Sequence, residues 1–441
     1  MTGRSGEVGR PPKEARFTGA RFTEARLAGP RKGRHRTWAR RTAAHRTSPL
    51  LLGALLLGVS LAGACADGDA SGAGTLHVDS AGVVLNSYEG ADRPLRMQTA
   101  AAYTLGGRES GPESFYQLYP RWVDVGADGR IAVLHSQAYR VEVFDSSGAH
   151  SMSLGREGDG PGELASPSAV VVRHDGEVGV YDYRKRAVVR YAPDGTALDQ
   201  LPLTVPFNGY QGMVGTADGL LLLSRTAPRG AGDVVQRVLH LTGTDTVQLG
   251  PSVITSAQAV QYPSCGMRIT LPPLFAAEPL WASNGTRTAV VTGPEYSVLL
   301  FEGSRLARIL RRPIGAEMVT PTVVERELGE GERWFAAGQE CVVPPHEVTE
   351  ARGHAALLPV VEALAVSPDG DVWVRRRVPA SIERRIDLFD ATGAYRGTLP
   401  GADAPFPVDF LPDGRVLTIE TDALDLARVV VYRTEIGDGP P

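Results

Sequence analysis

Lysine all but disappears after residue 49 of this 441-residue chain, where Lys185 is its one occurrence. Cysteine is used three times, at positions 65, 265 and 341, too sparsely for a disulfide-framed mini-protein or a cysteine-rich metal module. No apolar run reaches the roughly 20 residues of a membrane-spanning helix. The longest, LLLGALLLGVSLAGA from Leu50, has 15. A Gly-x-Ser-x-Gly elbow, a Ser-x-x-Lys pair, a P-loop and an EF-hand loop are all missing, which leaves nucleophilic and nucleotide chemistry without sequence support. A cationic body is missing too. The first 49 residues hold 13 Lys+Arg and 3 Asp+Glu of the chain's 46 and 50, leaving the remainder at a net charge of −14. Such a surface argues against nucleic acid, whose phosphates require a basic footprint.

The basic start, the apolar run and the small residues before Cys65 read in order as the n-region, h-region and cleavage site of an export signal. Ala62-Gly63-Ala64-Cys65 resembles the lipobox of bacterial lipoproteins, which implies acylation of the Cys65 thiol and a lipid anchor in the cell envelope. Leu61 stands one place earlier than the usual lipobox leucine, so plain secretory cleavage is the alternative. The expected organisation is a signal over 1–64, a flexible polar tether over 65–75, one domain over 76–437 and a disordered tail over 438–441.

Inside the domain, Asp-Gly pairs interrupt alternating apolar segments, the pattern of short strands joined by tight turns. Asp128-Gly129, Asp175-Gly176 and Asp218-Gly219 are 47 and 43 residues apart, and Asp369-Gly370 and Asp413-Gly414 are 44 apart. Asn284-Gly285 falls between the two groups, with insertions on either side. A period of about 40 to 50 residues built from four strands is that of a propeller blade. Six markers predict an all-β, six-bladed β-propeller with four-stranded blades. The segment before Trp122 is expected to supply the strand that pairs with the last blade and closes the ring.

The segments GREGDGPGEL (Gly155 to Leu164), VEVFDSSG (Val141 to Gly148) and VVRYAPDG (Val188 to Gly195) resemble the NHL repeat. From Asp79 to Arg433 the chain is similar to six-bladed propeller lipoproteins of high-GC soil bacteria, a resemblance that implies the fold and no particular reaction. In this register the Asp-Gly turns join strands A and B on one face. The long connections, 104–117, 155–168, an insertion around 250–278 and the largest at 314–360, gather on the other. Thr320-Pro321 before VVEREL predicts an N-cap, a first-turn proline and a short helix ahead of blade five. That insertion reads either as a lid over the axial mouth or as a cover for two weak blades.

Cys265 and Cys341 are left once Cys65 is assigned to lipid. In an oxidising compartment, in consecutive connections on one face, they are expected to pair, two free thiols being the alternative. His346-Glu347 begins a zincin-like helix motif, but Glu350 stands where the second histidine belongs. Arg140, Arg237, Arg385 and Arg428 recur just before strand C, as interstrand pairing in a scaffold would require. Strand B ends in changing residues, His135, Asp182, Arg225, Arg376 and Glu420. These, with Arg156, Asp159 and Glu163 of the Gly-rich loop, are the binding candidates.

Two function classes remain. The first is a non-enzymatic, lipid-tethered, monomeric recognition module without cofactor, taking a protein, peptide or glycan on the long-loop face. The second is a propeller enzyme with an axial metal, resembling six-bladed lactonases or streptogramin lyases. Those need acidic, Asn or His ligands on the inner strands, where Asp124 is the main one visible in PRWVDV, PSAVVV and EALAVS. A quinoprotein would need basic and histidine residues at the axis that the sequence does not supply.

Overall fold

A computed structural model describes residues 75–78 and 82–439, apart from 108–110, 113, 116, 208, 228–229, 244, 337–338, 402–403 and 423–425. The export signal, Cys65 and most of the tether lie outside the described residues. Each Asp-Gly marker falls where predicted, between the first and second strands of a blade. Around the first of them the Gly126 N–H donates to the Arg130 carbonyl at 2.9 Å and the Gly129 N–H to the Gly126 carbonyl at 2.8 Å. This is a tight turn ending in a left-handed residue, and glycine at φ +82° takes it without steric cost. Gly219 is different. Its backbone is not left-handed, but a β-carbon there would come within 1.7 Å of the Leu241 carbonyl oxygen, so glycine is required by close approach.

Blade one is Val123–Val125, Ile131–His135, Arg140–Phe144 and His150–Leu154; blade two is Pro167–Val172, Val178–Asp182, Ala187–Tyr191 and Ala197–Pro202. Blades three and four begin at Met213–Gly215 and Leu280–Ser283, and blade five runs from Val361–Val366 to Tyr395–Pro400. Blade six takes three strands from Asp409–Phe410, Val416–Thr421 and Ala427–Asp438, and its fourth from Leu95–Gly106. That early strand pairs with the last one from Leu95 opposite Asp438 to Gly106 opposite Arg428. The final strand thus reaches one residue past the expected domain end. Central strands such as IAVLH read as continuous apolar runs because neighbouring blades cover both of their faces, and Ile131, Ala132, Val133 and Leu134 are all fully buried.

Two features depart from four-stranded blades. Val84–Ser87 adds in parallel to the outer strand of blade four, Arg305–Arg311, and carries Thr75–Val78 beyond it. Pro94 then bridges to Thr398 on the outer strand of blade five before the chain enters blade six. The early segment is therefore a belt over three blades. The second departure is in the insertion around 250–278, which is mostly strand rather than loop. The last strand of blade three, Asp245–Tyr262, outruns its partner Gly232–Thr242 and turns back as Met267–Leu271.

This hairpin and the 314–360 insertion share a core of Val260, Tyr262, Leu274, Val319, Val323, Val324, Val343, Val348 and Leu358. The predicted helix, α1, is Pro321–Leu328, capped by Thr320 Oγ1 accepting from the Val323 N–H. A second helix, α2, is Pro345–Arg352; the paired prolines start it at its first turn, where a proline lacks nothing the helix needs. The Cys265–Cys341 disulfide, with Cα atoms 5.8 Å apart, joins the hairpin to the insertion.

Candidate functional site

The long-loop face is rigid where the Gly-rich loop crosses it. Asp182, fully buried at the end of strand B in blade two, accepts from the N–H groups of Ala165 at 2.6 Å, Ser166 at 2.9 Å and Lys185 at 3.0 Å. The single body lysine then donates its Nζ to the carbonyls of Glu163 at 2.6 Å and Gly160 at 3.2 Å. Between these clamps Arg156 pairs with Glu163 at 2.8 Å and Asp159 with Arg184 at 3.0 Å.

The strand-B candidates do not converge on one site. Asp182 has its acceptors occupied by backbone. Arg376, almost wholly buried, holds Asp387 at 2.8 Å and Asp92 at 2.8 Å, in a network that adds Arg312, Arg385, the Tyr296 hydroxyl and the Thr398 hydroxyl. Asp182 and Arg376 are both buried and bonded within the fold, as buried polar groups must be. Glu420 is shared between Arg428 at 3.0 Å and the Tyr432 hydroxyl at 2.5 Å. Arg225 lies half-buried opposite Gln236. His135 lies half-buried near the Phe115 ring; burial, then the neighbouring Arg140 charge, lowers its pKa. In the Arg row, Arg237 on Ser252 at 3.1 Å and Arg428 on Glu420 pair between strands, whereas Arg140 holds Glu142 of its own strand at 2.5 Å and Arg385 reaches Asp92 of the belt.

The 314–360 insertion is clamped to blade five rather than left loose. Glu327 of α1 receives Arg384 at 2.8 Å and Arg377 at 3.3 Å, and the same arginines reach Glu362 at 2.6 and 2.9 Å. The Cys265–Cys341 disulfide ties the same insertion to the blade-three hairpin, so it is held at two points.

At the axis, Asp124 has a partner that the sequence reading passed over. Asp409 stands four residues before its Asp-Gly marker, as Asp124 does, one blade earlier. Asp409 accepts the Val125 N–H at 2.9 Å and Asp124 the Val172 N–H at 2.5 Å, so each ties its blade to the next. Burial drives both carboxyls toward the neutral form. Asp409 is pushed up to about 7, and Asp124, which also feels the Asp409 charge, lies well above the ordinary carboxylate range. Among the described residues, no group of three or more His, Cys, Asp or Glu side chains is placed to hold a metal ion.

At the mouth above them, Pro120–Trp122 forms a single 3-10 turn leading into strand A of blade one. It sets the Arg121 guanidinium over the rings of Tyr119 at 4.3 Å, Trp122 at 5.3 Å and Tyr210 at 5.4 Å. Neither Arg121 nor Tyr210 stood out in the sequence. PRWVDV was read as a strand, and Tyr210 comes from the connection between blades two and three, far away along the chain. The opposite face carries a polar cleft of about 640 Å³ between blades six and one, lined by Tyr103, Ser146, Ser147, Asp413 and Arg415 among others. Its Arg415 already pairs with Asp413 at 2.8 Å and donates to the Ser146 carbonyl at 3.0 Å.

Comparison with known proteins bears on the fold. Residues 123–211 match a family model described as a 6-bladed beta-propeller. No curated protein matches the sequence. Solved structures that align include a putative exported protein from Bacteroides fragilis, at 12% identity over 80% of this chain and 99% of that one, with a TM-score of 0.40. A streptogramin B lyase aligns at 12% identity over 77% and 98%, TM-score 0.32. Virginiamycin B lyase from Staphylococcus aureus aligns at 12% over 77% and 99%, TM-score 0.33. Relationships this distant carry neither substrate nor mechanism across. The chain is a six-bladed β-propeller whose first two blades match the sequence model of the 6-bladed beta-propeller family.

Proposed function

We propose that this propeller is an exported recognition module, held at the membrane through a lipid on Cys65, that binds a protein, peptide or glycan with its long-loop face. One observation carries the reading: where the exposed large apolar side chains lie. Tyr183 (53% exposed), Tyr210 (59%), Met318 (71%), Ile382 (75%) and Val342 sit in the connections of that face, and Ile254 and Leu201 in the strand halves beside it. Val247 is the exception, near the turns. Apolar groups collected on one face of a monomer mark an interaction surface. Tyrosine among them suits recognition, since its ring adds contact area at small entropic cost. The clamped loops keep the surface preorganised, which lowers the ordering cost of binding.

The test is affinity capture from the envelope fraction. The parent protein is compared with Tyr183→Ala/Ile382→Asp on the long-loop face and Val247→Asp on the turn side. A defined ligand retained by the parent and by Val247→Asp, and lost from the double variant, supports the reading. Equal retention by all three overturns it.

A further inference from the structure

Most arginines that pack into this body end on a carboxylate: Arg190 on Glu177, Arg287 on Glu302, Arg312 and Arg376 on Asp387. Arg121 does not. It is half-buried at the axial mouth, enclosed by three aromatic faces, with no hydrogen bond or ion pair among the described residues, and its Nε is buried without a partner. Burial lowers its pKa, the mark of a charge partly stripped of water. The rings attract the cation through their faces but satisfy none of its five N–H donors.

The cage is held by its surroundings rather than by Arg121. Trp122 Nε1 donates to the Ser168 carbonyl of blade two at 3.1 Å, Gln117 Nε2 donates to the Tyr119 hydroxyl at 2.5 Å, and the connection bearing Tyr210 passes so closely that a β-carbon on Gly212 would lie 3.6 Å from the Arg121 Cα. Tyr210 keeps most of its ring exposed. A guanidinium fork matches the two oxygens of a carboxylate, and an exposed tyrosine ring beside it matches a flat or apolar body.

We infer that Arg121 is the receptor for the carboxylate of an organic acid whose ring or apolar body packs on Tyr210 at the axial mouth. This rests on the recognition reading and deepens it by naming the ligand chemistry.

The experiment is isothermal titration of the whole protein with N-acetyl-tyrosine as the free acid and as its amide, and with galacturonate. A charge-assisted bidentate contact should favour acid over amide by about tenfold to a hundredfold. Arg121→Gln should erase that preference, Arg121→Lys should keep only part of it, and Tyr210→Ala should weaken acid and amide alike. Binding of galacturonate without the acyl amino acid assigns the carboxylate to a sugar and upholds the inference. Thermal unfolding of each variant reports whether it folds. A cage that is only structural predicts a lower Tm for Arg121→Gln and, in the parent, neither an acid-over-amide preference nor galacturonate binding, and that result overturns the inference. Envelope capture depends on Tyr183 and Ile382, so loss of the carboxylate preference with capture intact sinks only this inference. Carboxylate binding without capture sinks only the wider reading.

Discussion

Replacing Asp124 by Asn should change how stability depends on pH more than it changes stability itself. In the folded protein Asp124 holds its proton well above the 3.8 of a free carboxyl, because burial and the Asp409 charge disfavour ionisation, whereas the unfolded chain releases it near 3.8. A carboxyl raised in the folded state contributes stability that is full below pH 3.8 and declines as pH climbs toward the folded pKa. Each proton held by the folded state alone costs about 1.4 kcal/mol per pH unit, so the Asp124 proton erodes stability steadily as pH rises from 3.8 toward the raised folded value. The asparagine amide can donate to Asp409 where the proton now does, and its oxygen can still accept from Val172. The Asp124 proton is then no longer needed, and the Asp409 carboxyl, raised by its own burial, titrates in both proteins. Urea unfolding at pH 5, 6, 7 and 8 should therefore show Asp124→Asn gaining on the parent as pH rises, by at most about 1.4 kcal/mol per pH unit. Asp92, held at about 2 by Arg376, Arg385 and Arg312 against the upward push of burial, titrates well below this window, and His135 is common to both proteins. Parallel stability profiles for parent and variant would refute the shared-proton account.

Three further outcomes follow from the same geometry. Asp387→Ala leaves Arg312 and Arg376 buried with an anion missing and should cost about 3–5 kcal/mol in urea unfolding; a loss under about 1 kcal/mol would show the network to be dispensable. Cys265→Ser opens a link across 76 residues and should lower stability by about 2–4 kcal/mol, with earlier proteolytic cleavage in the 314–360 insertion than in any blade. Cys65→Ala should move the protein from the membrane to the soluble fraction on cell fractionation, and unchanged membrane association would remove the lipid anchor from the proposal.

Legibility followed the distance over which each feature is decided. The Asp-Gly period gave the blade count because each turn is settled by a few consecutive residues. The cap Thr320 with Pro321 placed α1 for the same reason. The strand that completes blade six could be anticipated because a last blade lacking a strand leaves an unpaired edge, and the segment before Trp122 was the one left to fill it. Asp409 was within reach, since it shares its offset from the Asp-Gly marker with Asp124, but a carboxylate in a strand declares itself only when its neighbour is known.

The strand-B row shows the converse. Its varying charge suggested ligand contacts, yet Asp182 and Arg376 are taken up by groups that the fold brings to them. Asp92, which neutralises Arg376, is 284 residues away in the belt. The two insertions likewise look separate along the chain, and only their shared core and disulfide make them one unit.

The sequence by itself determined the repeats, the turns and an export-like start, because those are written in local backbone preferences and composition. Tertiary structure alone decided which charges are satisfied, that two carboxyls meet at the axis, and that Arg121 faces aromatic rings without an anion. Such facts depend on residues tens to hundreds of positions apart arriving at one place, where burial makes every missing partner costly.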